Sequence, residues 1–296
     1  MNTPETHIKA LKWNTRQRLQ YIEIIAFYTG TVSRGDVANT FGISDAAATK
    51  DIKLYNQLAP DNLIYKQSVF GFVPGPGFKQ TLADLSPTRV LPMIASNLPT
   101  NEGPYGDKLL YGVAVDSLPI PARLPDKAVL AEVIRAAKHR RKLSIRYRSL
   151  SDRDSDDPRI IEPHSLINTG LRWHIRAYNE ETFDFRDFVL SRIDVAKMLE
   201  QEAESSIAYD DDWVETSTLR LSPHPGLNEK KRLNLLMDYG IQQGSIDIEV
   251  RRALLGYTLQ KLSVDTTIDH SLNSNAYQLI VMNRDEVEPF AGWAFL

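Results

Sequence analysis

Arg172, His174, Arg176 and Tyr178 recur at every second position, which on an extended strand places all four on one face. Trp173, Ile175 and Ala177 alternate with them and are expected to face a core. After a polar turn a second strand is predicted to run to Ile193. Arg186 and Arg192 then share a face, although Phe188 and Leu190 stand between them. Guanidinium forks grip phosphate oxygens in pairs and stack on flat rings, so a hairpin presenting Arg, His and Tyr suits an anionic, planar ligand. An ordinary sheet with a solvated basic face has the same spacing, and the pattern alone leaves both readings open.

A second constellation lies near the N-terminus. Ala46, Thr49, Lys50 and Lys53 fall within one turn's width of a helix at about 100° per residue, opposite Ala48, Ile52 and Tyr55. Small residues let a helix backbone approach a DNA groove closely, and lysines reach flanking phosphates. A three-helix bundle used for protein contacts would show the same polarity.

The elements that must position these residues follow from periodicity. Leu19, Ile22, Ile25 and Ala26 predict a helix over 14–29 closing near Gly30. Ser33 caps a second helix that buries Val37, Ala38 and Phe41 and ends at Gly42. Ser44 caps a third. Two short strands, 63–66 and 69–73, form a ribbon around Gln67 and Ser68. Helix, glycine turn, helix and ribbon in that order make a winged helix-turn-helix, from which Lys66 and the turn reach a phosphate or minor groove. The PGPGF stretch at 74–78 lacks the glycine spacing of a phosphate loop and reads as a domain boundary.

Residues 81–125 hold seven prolines and read as a structured linker with a helix near 88–96 and a strand near 109–115. Asp126 opens a helix with a stripe of Val129, Val133, Ile134 and Ala137 and a basic end at His139 to Lys142, which suits the negative end of a helix dipole. In the strand that follows, Ile145, Tyr147 and Ser149 share one side, Arg146 and Arg148 the other. A loop at 151–157 precedes the PHSL corner, and several short strands after one helix predict a small, strongly bent sheet or barrel. The tail reads strand 218–221, helix 227–239, strand 245–250, helix 252–262, strand 276–282, an order that fits a compact α/β sandwich.

With 296 residues the chain has room for two or three domains. Its 35 basic and 38 acidic residues nearly cancel, but unevenly. Residues 1–80 hold nine Lys/Arg against six Asp/Glu and residues 120–195 fifteen against twelve, whereas 196–296 hold nine against sixteen. The absence of cysteine removes disulfides and thiolate chemistry. No apolar run approaches the ~20 residues a bilayer demands, and a cytoplasmic location is expected. Catalytic elbows, HExxH helices, Walker loops and paired-carboxylate motifs are all missing, so no enzyme activity, cofactor or metal is expected. The run Asp210, Asp211, Asp212 lacks the spacing and glycine of a calcium loop and reads as a solvated loop.

The segments LSIRYRSL, RIIEPHSLINTGLRWHIRAY and FRDFVLSRI together resemble WYL-domain regulators, in the variant found in bacterial phage-defence regulators of the BREX and CBASS type, the BrxR- and CapW-like family. The signature Trp-Tyr-Leu run appears here as Trp173, His174, Ile175. The resemblance extends over essentially the whole chain and implies an α+β fold: a winged helix-turn-helix over 1–80, the linker 81–125, a WYL ligand-sensing domain with an Sm-like barrel over 126–200, and a C-terminal dimerisation extension over 205–296. Double-stranded operator DNA, a second copy of the chain and a nucleotide or nucleic-acid effector are the implied partners. The expected DNA contacts are Arg34, Ser44, Asp45, Ala46, Ala47, Thr49, Lys50, Lys53, Lys66, Gln67 and Ser68. The expected effector contacts are Tyr147, Ser149, His164, Arg172, His174, Arg176, Arg186 and Arg192, with Tyr147 and His174 stacking on a base and Arg172, Arg186 and Arg192 holding phosphate. A homodimeric repressor of a phage-defence operon is the leading expectation. An activator or single-stranded nucleic-acid accessory factor, and a nucleotide-processing enzyme, are the alternatives.

Overall fold

The computed structural model describes residues 11–96, 113, 115–116, 118–150, 157–242 and 244–295. They divide into two units, Met1–Pro119 and Ile120–Leu296. The strand expected near 109–115 lies outside the described residues except at 113 and 115.

In the first unit, Leu19, Ile22, Ile25 and Ala26 of α1 (Trp13–Thr29) are buried against α2 (Arg34–Phe41) and α3 (Asp45–Leu58). Ser33 and Asp36 form a reciprocal capping box at the start of α2. Gly42 ends it at φ +60°, a left-handed conformation that glycine adopts without the Cβ penalty, and this sets the turn into α3. The α3 core face is Ala48, Ile52 and Tyr55, as its spacing predicts, joined by Asp51, whose carboxylate accepts from Arg18 Nε at 2.6 Å and pins α3 to α1. The wing is β1 (Leu63–Lys66) antiparallel to β2 (Gly71–Pro74), with Val32 bridging to Phe72. Its second strand starts two residues later than the alternation suggests, because Gln67–Val69 coil into a 3-10 turn and Phe70 sits at φ +49°.

The chain after the wing folds back onto this unit. Asn62 donates to Tyr55 Oη and Lys79 O, and buried Glu23 accepts from the backbone of Thr81, Leu82 and Ala83. Val90 of α4 (Pro87–Ser96) joins the same core.

In the second unit, α5 (Lys127–His139) packs Val129, Val133 and Ala136 on a five-stranded antiparallel sheet. The strands are β3 (Arg141–Tyr147), β4 (Arg159–Asn168), β5 (Trp173–Asn179), β6 (Asp184–Val189) and β7 (Ile193–Glu202), in the order β6-β5-β4-β3-β7. Register shifts at Pro163/Ser165 and along the β3–β7 pair bend it. Among the described residues no β6–β7 pairing closes it into a barrel. The strand expected to run through Arg192 stops at Val189 and gives way to a 3-10 turn, Leu190–Arg192.

The chain then passes through α6 (Asp211–Val214) into a four-stranded sheet ordered β10-β11-β8-β9. Here β8 (Thr216–Pro223) runs antiparallel to β9 (Ile246–Arg251) and to β11 (Leu279–Val281), and β10 (Val264–Asp265) runs parallel to β11. Helices α7 (Glu229–Asp238), α8 (Leu255–Lys261) and α9 (Arg284–Ala291) share its core through Leu236, Leu255, Leu259 and Val287. Two of these elements escape periodicity: β10 has two residues, and α9 has two turns with Pro289 inside it. Among the described residues no helix is long and apolar enough to cross a membrane.

Candidate nucleic-acid interface and anion site

The two ends of α2 and the start of α3 are locally specified, and that fixes which side of α3 is outward. Ser44 Oγ accepts from Ala47 N at 3.3 Å, a cap contributing about 1 kcal/mol. Asp45, Ala46, Thr49, Lys50 and Lys53 are then exposed, with Ala47 half-buried at their edge. Thr49 Oγ1 donates to Asp45 O at 2.7 Å, leaving its methyl and its lone pairs outward. Arg34, at the start of α2, lies 3.8 Å from Asp45, both exposed, a loose pair that competes little with a phosphate. Lys66, Gln67 and Ser68 are exposed at the wing tip.

Between α3 and the wing lies a cleft of about 520 Å³ whose walls include Arg34, Thr49, Lys53, Asn56, Tyr65 and Phe70. Asn56 Oδ1 is buried there without a hydrogen-bond partner. Asn56, Tyr65 and Phe70 are absent from the sequence-based contact set. Asn56 follows Lys53 by three and Thr49 by seven, so carrying the reading face one more turn finds it; nothing in the spacing of the wing marks the two aromatic rings.

In the second unit the hairpin residues divide into three groups. Arg172, His174 and Arg192 come together. His174 is 1% exposed, and neither ring nitrogen has a partner among the described residues. Burial, and then the neighbouring cations Arg172, Arg192 and Arg123, push its pKa down to about 4, so the ring is neutral at pH 7. Arg172 is itself held below the usual guanidinium range, first by burial and then by Arg123 and Arg192. Neither Arg172 nor Arg192 has a carboxylate partner among the described residues. Three cations surround this imidazole.

Arg176 and His164 form the second group, and their donors are already engaged. The expectation of a free cationic face fails at Arg176, which is 6% exposed. Its Nε and Nη2 donate to the two oxygens of Asp210 at 2.7 and 2.8 Å, and Nη1 to Asp187 at 3.3 Å. His164 lies 3.1 Å from the same Asp210 carboxylate through Nε2 and 2.9 Å from Ser165 through Nδ1. Asp210 is therefore not a solvated loop residue. It is 1% exposed, caps α6, and is held down to a pKa of about 2 by Arg176 and His164 against the effect of burial. The connector after β7 lies across the polar face of the sheet because that face carries a buried arginine needing a counter-charge.

The third group lies elsewhere. Arg186 pairs across from Ala177, on the α5 side of the sheet, and contacts Thr182 at 3.2 Å and Asp184 at 3.5 Å in the open. Arg186 and Arg192 thus do not share a strand face, because the 3-10 turn ends the alternation between them. Tyr147 Oη accepts from Val189 N at 3.1 Å, with the Arg159 guanidinium over its ring, and Ser149 is half-buried just past β3. Residues the spacing did not flag are Arg123, Asp187, Asp210 and Tyr257. Tyr257 comes from α8, 83 residues further along the chain, and packs on His174 with ring centroids 5.0 Å apart. Among the described residues no group of three or more His, Asp or Glu is placed to hold a metal ion.

Three stretches of the chain match known family descriptions. Residues 14–96 match the BrxR transcriptional regulator winged helix-turn-helix domain, 128–198 the WYL domain, and 216–287 the BrxR transcriptional regulator C-terminal dimerization domain. The chain is 31% identical over 284 residues to a protein of Stenotrophomonas maltophilia named DNA-binding transcriptional repressor CapW, covering 94% of this chain and 92% of that one. It is 30% identical over 279 residues to the protein of that name from Pseudomonas aeruginosa, again with 94% and 92% covered. A solved structure of the proteasome accessory factor B/C of Arthrobacter aurescens aligns at 14% identity over 99% of this chain and 58% of that one, with a TM-score of 0.27, too distant to bear on the fold. By the identity and coverage of these relatives and the match of all three domains, the chain belongs to the BrxR and CapW family of WYL-domain transcriptional regulators.

Proposed function

We propose that this chain is a cytoplasmic, homodimeric DNA-binding repressor of a phage-defence operon, released from its operator when a nucleotide or nucleic-acid effector occupies the WYL domain. The observation that carries the reading is the coexistence of two unsatisfied surfaces. One is the exposed face of α3 with the wing beside it; the other is the Arg172, His174 and Arg192 cluster, cationic and without counter-charge among the described residues. In this reading Ala46, Ala47 and Thr49 approach base edges in the major groove, while Ser44, Asp45 and Arg34 fix the entry of α3. Lys50, Lys53, Lys66, Gln67 and Ser68 reach phosphate and sugar. A dimer formed through 205–296 presents two such modules to an inverted repeat, since a two-fold protein demands a two-fold site. The winged module spans 1–80, the linker 81–125 continues from it, and the bent sheet of 126–200 serves as an Sm-like half-barrel whose open face holds the effector. Arg172, His174 and Arg192 line that face and Arg176 and His164 support it from below, while Tyr147, Ser149 and Arg186 lie apart from it.

A gel-shift titration with the DNA upstream of the chain's own gene tests this directly. Retention is expected at nanomolar protein in moderate salt and is expected to weaken steeply as salt rises, because released counterions drive much of the affinity. Equal retention of a scrambled duplex would remove the sequence-specific part of the proposal.

A further inference from the structure

His174 is a buried imidazole with both nitrogens unpartnered among the described residues, and a buried polar group left without a partner is costly. The ring that covers it belongs not to the WYL sheet but to the C-terminal extension. Tyr257 on α8 lies 5.0 Å from the His174 ring at 43° between planes. Two further contacts hold Tyr257 there. Its hydroxyl donates to Asp187 Oδ2 at 2.9 Å, and its ring packs 5.1 Å from that of Trp293. Along the same face of α8 a recess of about 300 Å³, bordered by Tyr257 itself with Ile167, Thr169, Leu254 and Leu262, gives the ring somewhere to go.

We infer that Tyr257 is a displaceable cover over the effector site: a planar, phosphorylated ligand seats on His174, Arg172 and Arg192 only as Tyr257 leaves, and that departure carries occupancy of the site into the dimerisation extension. The inference rests on the effector reading given above. Carbon faces meet at about 3.5–4.0 Å, so a base inserted between the two rings needs them about 7 Å apart. At 5.0 Å they exclude it. Opening leaves no buried charge orphaned, because Asp187 keeps Arg176 at 3.3 Å when the tyrosine hydroxyl leaves. The movement cannot stay local, since Leu255 and Leu259 flank Tyr257 on α8 and are fully packed in the core of the extension. A cover also lowers apparent affinity by the fraction of time it is open, so removing it tightens binding.

The test uses full-length protein titrated calorimetrically with a 5′-phosphorylated deoxyadenosine dinucleotide and, separately, inorganic phosphate. Tryptophan emission is followed in parallel, with Trp293→Phe identifying the Trp293 signal among the four tryptophans. The dinucleotide is expected to bind wild type and shift Trp293 emission. Tyr257→Ala is expected to bind it about fivefold tighter, and Tyr257→Phe, which keeps the ring and loses the Asp187 bond, about twofold to threefold tighter; Arg192→Ala is expected to lose binding. If Tyr257→Ala does not melt cooperatively, the tightening in Tyr257→Phe decides, and equal affinity there overturns the cover. Dinucleotide binding that requires Arg192 but is indifferent to both Tyr257 variants and silent at Trp293 overturns the cover and leaves the effector site standing. Phosphate binding without dinucleotide binding overturns the cover as well, since a bare anion has no ring to insert. No binding of either probe overturns the cover and the site together.

Discussion

His174 and Arg176 stand two residues apart on one strand face, yet neighbours supplied by the rest of the chain give them opposite roles. Arg176 meets two carboxylates and is held charged, its pKa raised by Asp210 and Asp187 against the effect of burial. His174 meets cations and an aromatic ring and is held neutral. The histidine has a measurable consequence for acid stability. Its pKa is about 4 in the folded protein against the usual 6.5, so between these values the unfolded chain binds the extra proton. Stability from this residue is complete above pH 6.5, falls as pH drops towards 4, and changes no further below that; the whole effect is on the order of 3 kcal/mol. Urea unfolding of His174→Phe across pH 4–7 is expected to lose that slope relative to wild type. Parallel pH profiles for the two proteins would show that the ring does not titrate as its surroundings dictate. In the effector reading proposed above, an anion brought next to His174 raises its pKa, so binding is expected to take up a proton below neutral pH.

At the scale of elements, the connector between β7 and β8 and the helix α3 show how few residues orient each working surface. Asp210 serves Arg176, His164 and the N-terminus of α6 with one carboxylate. Asp210→Asn leaves a buried guanidinium underpaired and is expected to destabilise the protein by about 3 kcal/mol, within the range for breaking one side of a buried pair. A change under about 1 kcal/mol in chemical denaturation would mean that Asp187 alone satisfies Arg176. On α3, Ser44, Gly42 and the Arg18–Asp51 pair set the start and the roll of the helix, and Lys50 and Lys53 project from the result. Each of Lys50→Ala and Lys53→Ala is expected to lower the slope of log affinity against log salt by about 1, leaving the preference for the operator over other DNA little changed. A variant that relaxed sequence preference with no change in slope would place that lysine on a base instead. Of these elements, α1 to α3 and β1 were legible from sequence, because their caps, their glycine and their three-to-four spacing are local signals. The 3-10 turn at Leu190–Arg192 was not, since Phe188 and Leu190 continue the alternation of a strand while the backbone leaves the sheet.

For the whole molecule, the two-fold dimer proposed above makes the spacing of half-sites a geometric quantity. Inserting about 5 bp between the operator halves turns one module to the far side of the duplex and is expected to abolish tight binding, whereas about 10 bp restores the facing at a greater distance. Footprinting of the spacer series measures this, and tight binding at every spacing would remove the dimer from the mode of recognition. The sequence by itself determined the order of the modules, the caps and core stripes of the winged helix, and the basic residues around the hairpin from Gly170 to Ile193. All of these follow from side-chain periodicity and local hydrogen bonding, whose range is a few residues. Only the tertiary structure decided which of the hairpin's charges remain free. Asp210 and Tyr257 reach the face of β5 from 34 and 83 residues beyond Arg176 and His174, and whether a buried cation is neutralised or left to attract a ligand depends on which carboxylates long-range packing brings within about 3 Å of it.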